Sequence, residues 1–141
     1  MAGINIYLNF NGNTEEAFKF YRSIFGGDFS YFQRYKDIPG GDKMSPSDQE
    51  KIMHISLPIG NHSILMASDS LDSLDQPVTM GNNFYMSLTA DNEAQADKYF
   101  QKLSAGGKIE MHMQKMFWGD YFGMVVDQFG IQWMVSVELK S

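Results

Sequence analysis

Two short stretches of the chain alternate apolar and polar residues in the same phase. They are "NIYLNF" (residues 5–10) and "NFYMSL" (residues 83–88). Period-two alternation puts successive side chains on opposite faces of a strand, so each stretch predicts a strand with one apolar face. Ile6, Leu8 and Phe10 form that face in the first, and Phe84, Met86 and Leu88 in the second. Asn5, Tyr7 and Asn9 point the other way, as do Asn83, Tyr85 and Ser87.

The pattern then switches to helical spacing in both places, in "NTEEAFKFYRSIFGG" and "NEAQADKYFQKLSAGG". Ala17 matches Ala96, Phe20 matches Tyr99, Tyr21 matches Phe100 and Ile24 matches Leu103. Asn13 with Glu16, and Asn92 with Gln95, have the spacing of capping boxes, and each helix is expected to stop at its glycine pair. Three further strands are predicted after each helix. They are "DFSYFQRY", "KIMHISLPI" and "HSILMASD" in the first half, and "KIEMHMQKM", "YFGMVVD" and "IQWMVSVE" in the second. The fold class is therefore α+β, with a βαβββ module repeated twice. Module one covers about residues 1–70 and module two about 82–141, joined by a linker at 70–81. Half a chain of this length buries a sheet poorly, so one fused domain over 1–141 is expected. The polar run "KDIPGGDKMSPSDQ" (36–49) reads as a long loop of the kind that forms lids or stays disordered.

Composition narrows the chemistry. The 141 residues include no cysteine, which removes disulfides, thiolate metal sites and thiol catalysis, and suits a cytoplasmic protein. A net charge of −6 without a basic cluster argues against nucleic acid and anionic membrane as partners. No apolar run has the length of a bilayer span, and "MAGINIYLNF" lacks the basic start of a signal peptide. Nucleotide-binding glycine loops, the G-x-S-x-G elbow and H-E-x-x-H are absent, so nucleophilic hydrolysis and nucleotide chemistry have no support. Eleven methionines suit core packing or a pliable apolar pocket.

Three segments in order, "YLNFNGNTEEAFKFYRSIFGG", "GNHSILMASD" and "KMFWGDYFGMVVDQFGIQWMVSV", carry a resemblance over most of the chain. The sequence resembles the PhnB-like branch of the vicinal oxygen chelate superfamily, the glyoxalase, bleomycin-resistance and extradiol-dioxygenase group. The resemblance implies a cupped mixed sheet with a site inside, and a homodimer. It also implies a divalent metal held by one residue on the first and one on the last strand of each module, usually His or Gln with Glu. Those positions fall on Asn5 (or Ile6, allowing for a bulge), Met66, Asn83 and Met134. Two neutral amides and two thioethers give a hard cation no charge compensation, so no metal and no other cofactor is expected. Relatives have also carried a demethylubiquinone methyltransferase label, and no S-adenosylmethionine-type glycine loop supports it here.

Among side chains able to do chemistry, His54 shares the face of Ser56 and is the candidate proton acceptor. Its structural alternative is an imidazole satisfied by Tyr7 or a backbone carbonyl. Glu110 and His112, two apart on one strand with Gln114 beyond, have the spacing of a ligand pair, or of a solvated edge. His62 falls in a turn. Phe117 and Trp118 either wall the cup or form a contact surface. The leading expectation is a metal-free protein that binds a small molecule through Asn5, Tyr7, Asn9, His54, Met66, Asn83, Tyr85, Trp118 and Met134. The alternatives are a metal-dependent lyase or dioxygenase using His54, Glu110 and His112, and an interaction module whose cup is filled by its own side chains.

Overall fold

The computed structural model describes residues 2–71 and 77–139, so the middle of the expected linker, residues 72–76, lies outside the described residues. The described residues divide between Thr79 and Met80 into two compact units, each a four-stranded mixed sheet with a helix.

Unit 1 runs β1 (Ile6–Phe10), α1 (Thr14–Phe25), β2 (Tyr31–Arg34), α2 (Pro46–Gln49), β3 (Ile52–Ile59) and β4 (Ser63–Asp69). Its strand order is β1-β4-β3-β2, with β1 parallel to β4 and the other pairs antiparallel. Leu8, Phe10, Ile55, Leu57, Leu65 and Ala67 share one sheet face and are buried beneath Ala17, Phe18, Tyr21 and Ile24 of α1. Unit 2 repeats the plan with β5 (Met86–Thr89), α3 (Glu93–Ser104), β6 (Lys108–Lys115), β7 (Asp120–Val126) and β8 (Gln132–Glu138). Its order is β5-β8-β7-β6, again with one parallel pair, β5 with β8. Met86, Val125, Trp133 and Val135 meet Ala96, Phe100 and Leu103 of α3 in the core. The repeat read from alternation is therefore present, and Trp133 occupies the buried slot that Leu65 fills in unit 1.

Three local expectations change. Phe84 is not a core residue: strand pairing starts at Met86 opposite Trp133, and Phe84 precedes it, 56% exposed. Asn13 makes no capping bond with its side chain. The first N–H of α1 is instead met by Asp69 at the end of β4, whose Oδ1 accepts from Thr14 N (3.0 Å) and Thr14 Oγ1 (2.6 Å). Asn92 does cap α3, accepting from Gln95 N at 2.8 Å, while the Gln95 side chain accepts from Asp91 N rather than closing the box on Asn92. The loop at 36–49 is ordered into 3-10 turns at Tyr35–Asp37 and Gly41–Lys43 followed by α2. Gly41 is buried so closely on the Tyr35 carbonyl that a Cβ there would collide with it. Lys51 Nζ meets the buried Asp48 carboxylate at 3.1 Å behind the same segment.

Candidate functional site

In unit 1 the sheet face opposite α1 is set by strand register. Cross-strand partners share a face, so one row runs Tyr7, Met66, Ser56, Tyr31, and the pairs Asn9 with Ser68 and His54 with Gln33 lie on the same face beside it. None of these residues carries a formal carboxylate or a Lys or Arg charge. His54 lies between two tyrosine rings, 5.5 Å from that of Tyr7 and 5.1 Å, edge to face, from that of Tyr31. Its Nδ1 is 3.4 Å from Tyr7 Oη and its Nε2 is 3.1 Å from Ser56 Oγ. Tyr31 donates its hydroxyl to Gln33 at 2.6 Å, and Ser68 donates to Asn9 at 3.4 Å. Tyr7 and Tyr31 remain 47% and 46% exposed, whereas Ser56 beneath them is buried. Tyr35 closes the end of this region by donating to the Asp69 carbonyl at 3.2 Å. Burial, with Tyr7 and Asp69 nearby, pushes its phenol above the ordinary range.

Of the residues expected at a site, unit 1 thus brings Tyr7, Asn9, His54 and Met66 onto one face. Asn5 is exposed just ahead of β1. Tyr31 and Gln33 were missing from the expected set, although "SYFQRY" alternates in a way that places them together. Alternation puts both side chains on one face of β2, and only the register of β2 with β3 brings that face beside His54 and Ser56.

The corresponding face of unit 2 differs in chemistry. Ser87, Met134 and Met124 form one row, and Phe122 pairs with Ser136 in the next. Tyr85, just before β5, donates to Glu110 Oε1 on β6 at 2.6 Å, linking the two edges of the sheet. This bond raises the Tyr85 phenol above its usual range. Trp118 lies in the turn between β6 and β7, its ring edge to face with Phe117 and Phe122 and its Nε1 donating to Asp120 at 3.1 Å. Asn83 is exposed and outside β5. The pairing of β6 with β7 shifts at Ile109/Met111, so the simple alternation that put Glu110 beside His112 is interrupted there. Both are exposed, and His62 is exposed in its turn. Among the described residues no group of three His, Asp or Glu side chains is arranged to hold a metal ion.

Comparison with known proteins gives this fold a lineage. Residues 3–135 match the model of the Glyoxalase/Bleomycin resistance protein/Dioxygenase superfamily. The chain belongs to this superfamily. It is 30% identical over 139 residues to Protein YjdN of Escherichia coli K12, covering 93% of this chain and 92% of that one. The crystal structure of protein PA1353 from Pseudomonas aeruginosa is similar over 99% of this chain and 100% of its own, with a TM-score of 0.86 and 35% identity. The PhnB protein from Bacillus cereus, a proposed 3-demethylubiquinone-9 3-methyltransferase, is similar over 96% of this chain and 99% of its own (TM-score 0.76, 26% identity).

The divalent ion implied by resemblance to metal-binding superfamily members does not fit the residues found at the carried-over positions. Met66 and Met134 lie mid-row on their sheet faces, paired with Tyr7 and Ser87, and offer only thioether sulfur. Asn5 and Asn83 offer neutral amides. A hard cation needs anionic oxygen or imidazole donors, and this set supplies neither. No helix in the described residues is long and apolar enough to cross a membrane.

Proposed function

We propose that this superfamily member is a metal-independent small-molecule-binding protein, with its ligand on the open sheet face of unit 1. The observation that carries the reading is His54 held between the half-exposed rings of Tyr7 and Tyr31. Leaving two aromatic rings half in water on a rigid sheet forgoes burial worth roughly 25 cal/mol per Å² of apolar surface. A ligand that covers them recovers it. The hydroxyl, amide and imidazole groups around the rings supply the few oriented polar contacts that give such sites their specificity. Asn9 and Met66 belong to this surface, and Asn5 to its margin. Asn83, Tyr85, Trp118 and Met134 form a second, more apolar face in which Tyr85 is already engaged by Glu110. His54 meets Tyr7 Oη at one ring nitrogen and Ser56 Oγ at the other, which is the satisfied imidazole of its structural alternative. Its part in this reading is therefore to hold the tyrosine rings in place.

The methyltransferase activity in the Bacillus cereus protein's name finds no counterpart in this chain's motifs, and it is not part of this reading. The protein is expected to work in the cytoplasm as a homodimer, without nucleic acid or membrane. In unit 2, exposed Phe84 and Phe117 are apolar side chains that pairing would cover. The test is a thermal-shift screen of small oxygenated and aromatic compounds, run with and without chelator. A hit that stabilises the protein equally with chelator, and is lost in Tyr7→Ala, is the expected result. Absence of any hit, or hits that disappear with chelator, would overturn the proposal.

A further inference from the structure

We infer that the unit 1 face selects an uncharged, planar ring bearing a carbonyl or amide, and rejects ions of the same shape. This inference rests on the proposed binding role of that face and adds the ligand's chemical class. The first support is charge. The row and the pairs that make up the face hold only Tyr, Met, Ser, Asn, His and Gln side chains. Among the described residues, three charged groups of the neighbouring segments are engaged away from this face. Asp69 turns to the helix side and accepts from Thr14 N and Ile52 N. Arg34 pairs with Glu15 of α1 at 2.9 Å, and Asp48 pairs with Lys51. An ion brought onto this face would lose water without gaining a counter-charge, a cost far above that of an amide that finds hydrogen bonds.

The second support is shape. The Tyr7 ring is tilted by 34° and the Tyr31 ring by 69° from the imidazole, so His54 is the floor between two aromatic walls. Met66 follows Tyr7 in the same row and presents a polarizable sulfur, which packs well against aromatic edges. Flat rings gain most from such surroundings through offset or edge contacts. The third support is polarity. The half-exposed Tyr7 and Tyr31 hydroxyls can each take part in a further hydrogen bond, and the Gln33 amide, whose oxygen accepts from Tyr31, keeps its N–H groups to donate. A carbonyl or carboxamide can be met by this set in either orientation.

Benzamide, benzoate and benzamidinium differ in charge and hardly in shape, so they separate charge from fit. Each is titrated into isotope-labelled protein while the amide and imidazole NMR signals of residues 7, 31, 33, 54, 56, 66 and 68 are followed. The expected result is saturable benzamide shifts on these residues, with affinity at least about tenfold above that of either ion. Tyr31→Ala, on the exposed edge strand, should weaken benzamide at least about fivefold with the folded spectrum retained. Benzoate or benzamidinium binding the same residues as tightly as benzamide would overturn the ligand class and leave the binding face standing. Silence of all three compounds at these residues would overturn both.

Discussion

Of the differences between the closing strands of the two units, one changes how each helix is tied to its sheet. Leu65, Met66, Ala67 and Ser68 correspond to Trp133, Met134, Val135 and Ser136, and the next pair is Asp69 with Val137. In unit 1 the buried Asp69 carboxylate receives the start of α1 through Thr14 and the start of β3 through Ile52 N at 2.8 Å. In unit 2 a valine cannot do this, so α3 carries its own cap, Asn92. Unit 2 places its buried carboxylate at the other end of the hairpin. Asp127 accepts from Phe129 N, Ile131 N and Trp133 Nε1, which fixes the β7–β8 turn. Its Gly130 adopts the positive φ of 89° that the turn requires. One repeat thus supports two chemistries: a helix tied to its sheet beside a polar aromatic face, and a locally capped helix behind a methionine-lined one.

The sharpest way to break the comparison is Asp69→Ala. It strands buried N–H groups on two elements at once, each costing about 1–3 kcal/mol, so a loss of about 3 kcal/mol or more is expected. Asn92→Ala in unit 2 removes one exposed cap and should cost about 1 kcal/mol. Asn13→Ala, the matching position in unit 1, should be close to neutral because its side chain caps nothing. Urea denaturation of the three variants measures all of this. Asp69→Ala no worse than Asn92→Ala would remove the claim that the carboxylate organises unit 1.

These caps also show what the chain discloses by itself. The alternation of Leu8 and Phe10, or of Val125 with Trp133 beyond the turn, is a local signal, and it located strands, helices and the repeat. Asn13 with Glu16 is an equally local signal, yet it lost to a partner 55 residues away in sequence. Nothing near Thr14 announces that contact, because it depends on β4 lying parallel beside β1. The candidate face followed the same rule. Tyr7 and His54 could be placed on polar faces from their own strands, but Tyr31 joins them only through the register of β2 with β3. Phe84 erred in the opposite direction: its alternation continues correctly while its pairing partner is missing.

A smaller contrast concerns how tightly each helix sits on its sheet. Gly123 pairs with Val135 and Ile55 pairs with Ala67, so they are counterparts on the core face. A Cβ at Gly123 would lie 2.6 Å from Met113 Sδ and 2.9 Å from a Phe100 ring carbon. Phe100 and Met113 therefore fill the space that the Ile55 side chain fills in unit 1. Gly123→Ala should destabilise by about 1–3 kcal/mol through overpacking, tempered by the flexible methionine. Ile55→Val should cost about 0.5–1.5 kcal/mol by leaving a gap. The double variant Gly123→Ala with Met113→Ala should recover part of the first loss. A neutral Gly123→Ala would mean that α3 rests on the sheet less closely than α1.

The smallest effect sets the units apart by pH. The Arg34 guanidinium beside Glu15 holds that carboxyl below its ordinary value, the cation outweighing partial burial. A depressed carboxyl adds stability above its unfolded pKa, about 4, and that stability is lost as pH falls through the lower folded value. Unit 1 should therefore lose a modest increment on the acid side, and Glu15→Gln should flatten that limb of the stability curve. In unit 2, Tyr121 donates to Asp97 at 2.6 Å, and this bond pushes its phenol up to about 12. A raised phenol contributes fully below its unfolded pKa, about 10, and the contribution disappears as pH rises through the folded value. Asp97→Asn should bring the Tyr121 titration, followed by the ring-carbon NMR shift, back toward about 10. Both groups border solvent, so the stability changes should stay below about 1 kcal/mol while the titration shift remains plain. An unchanged Tyr121 titration in Asp97→Asn, or an unchanged acid limb in Glu15→Gln, would dissolve this last distinction between the units.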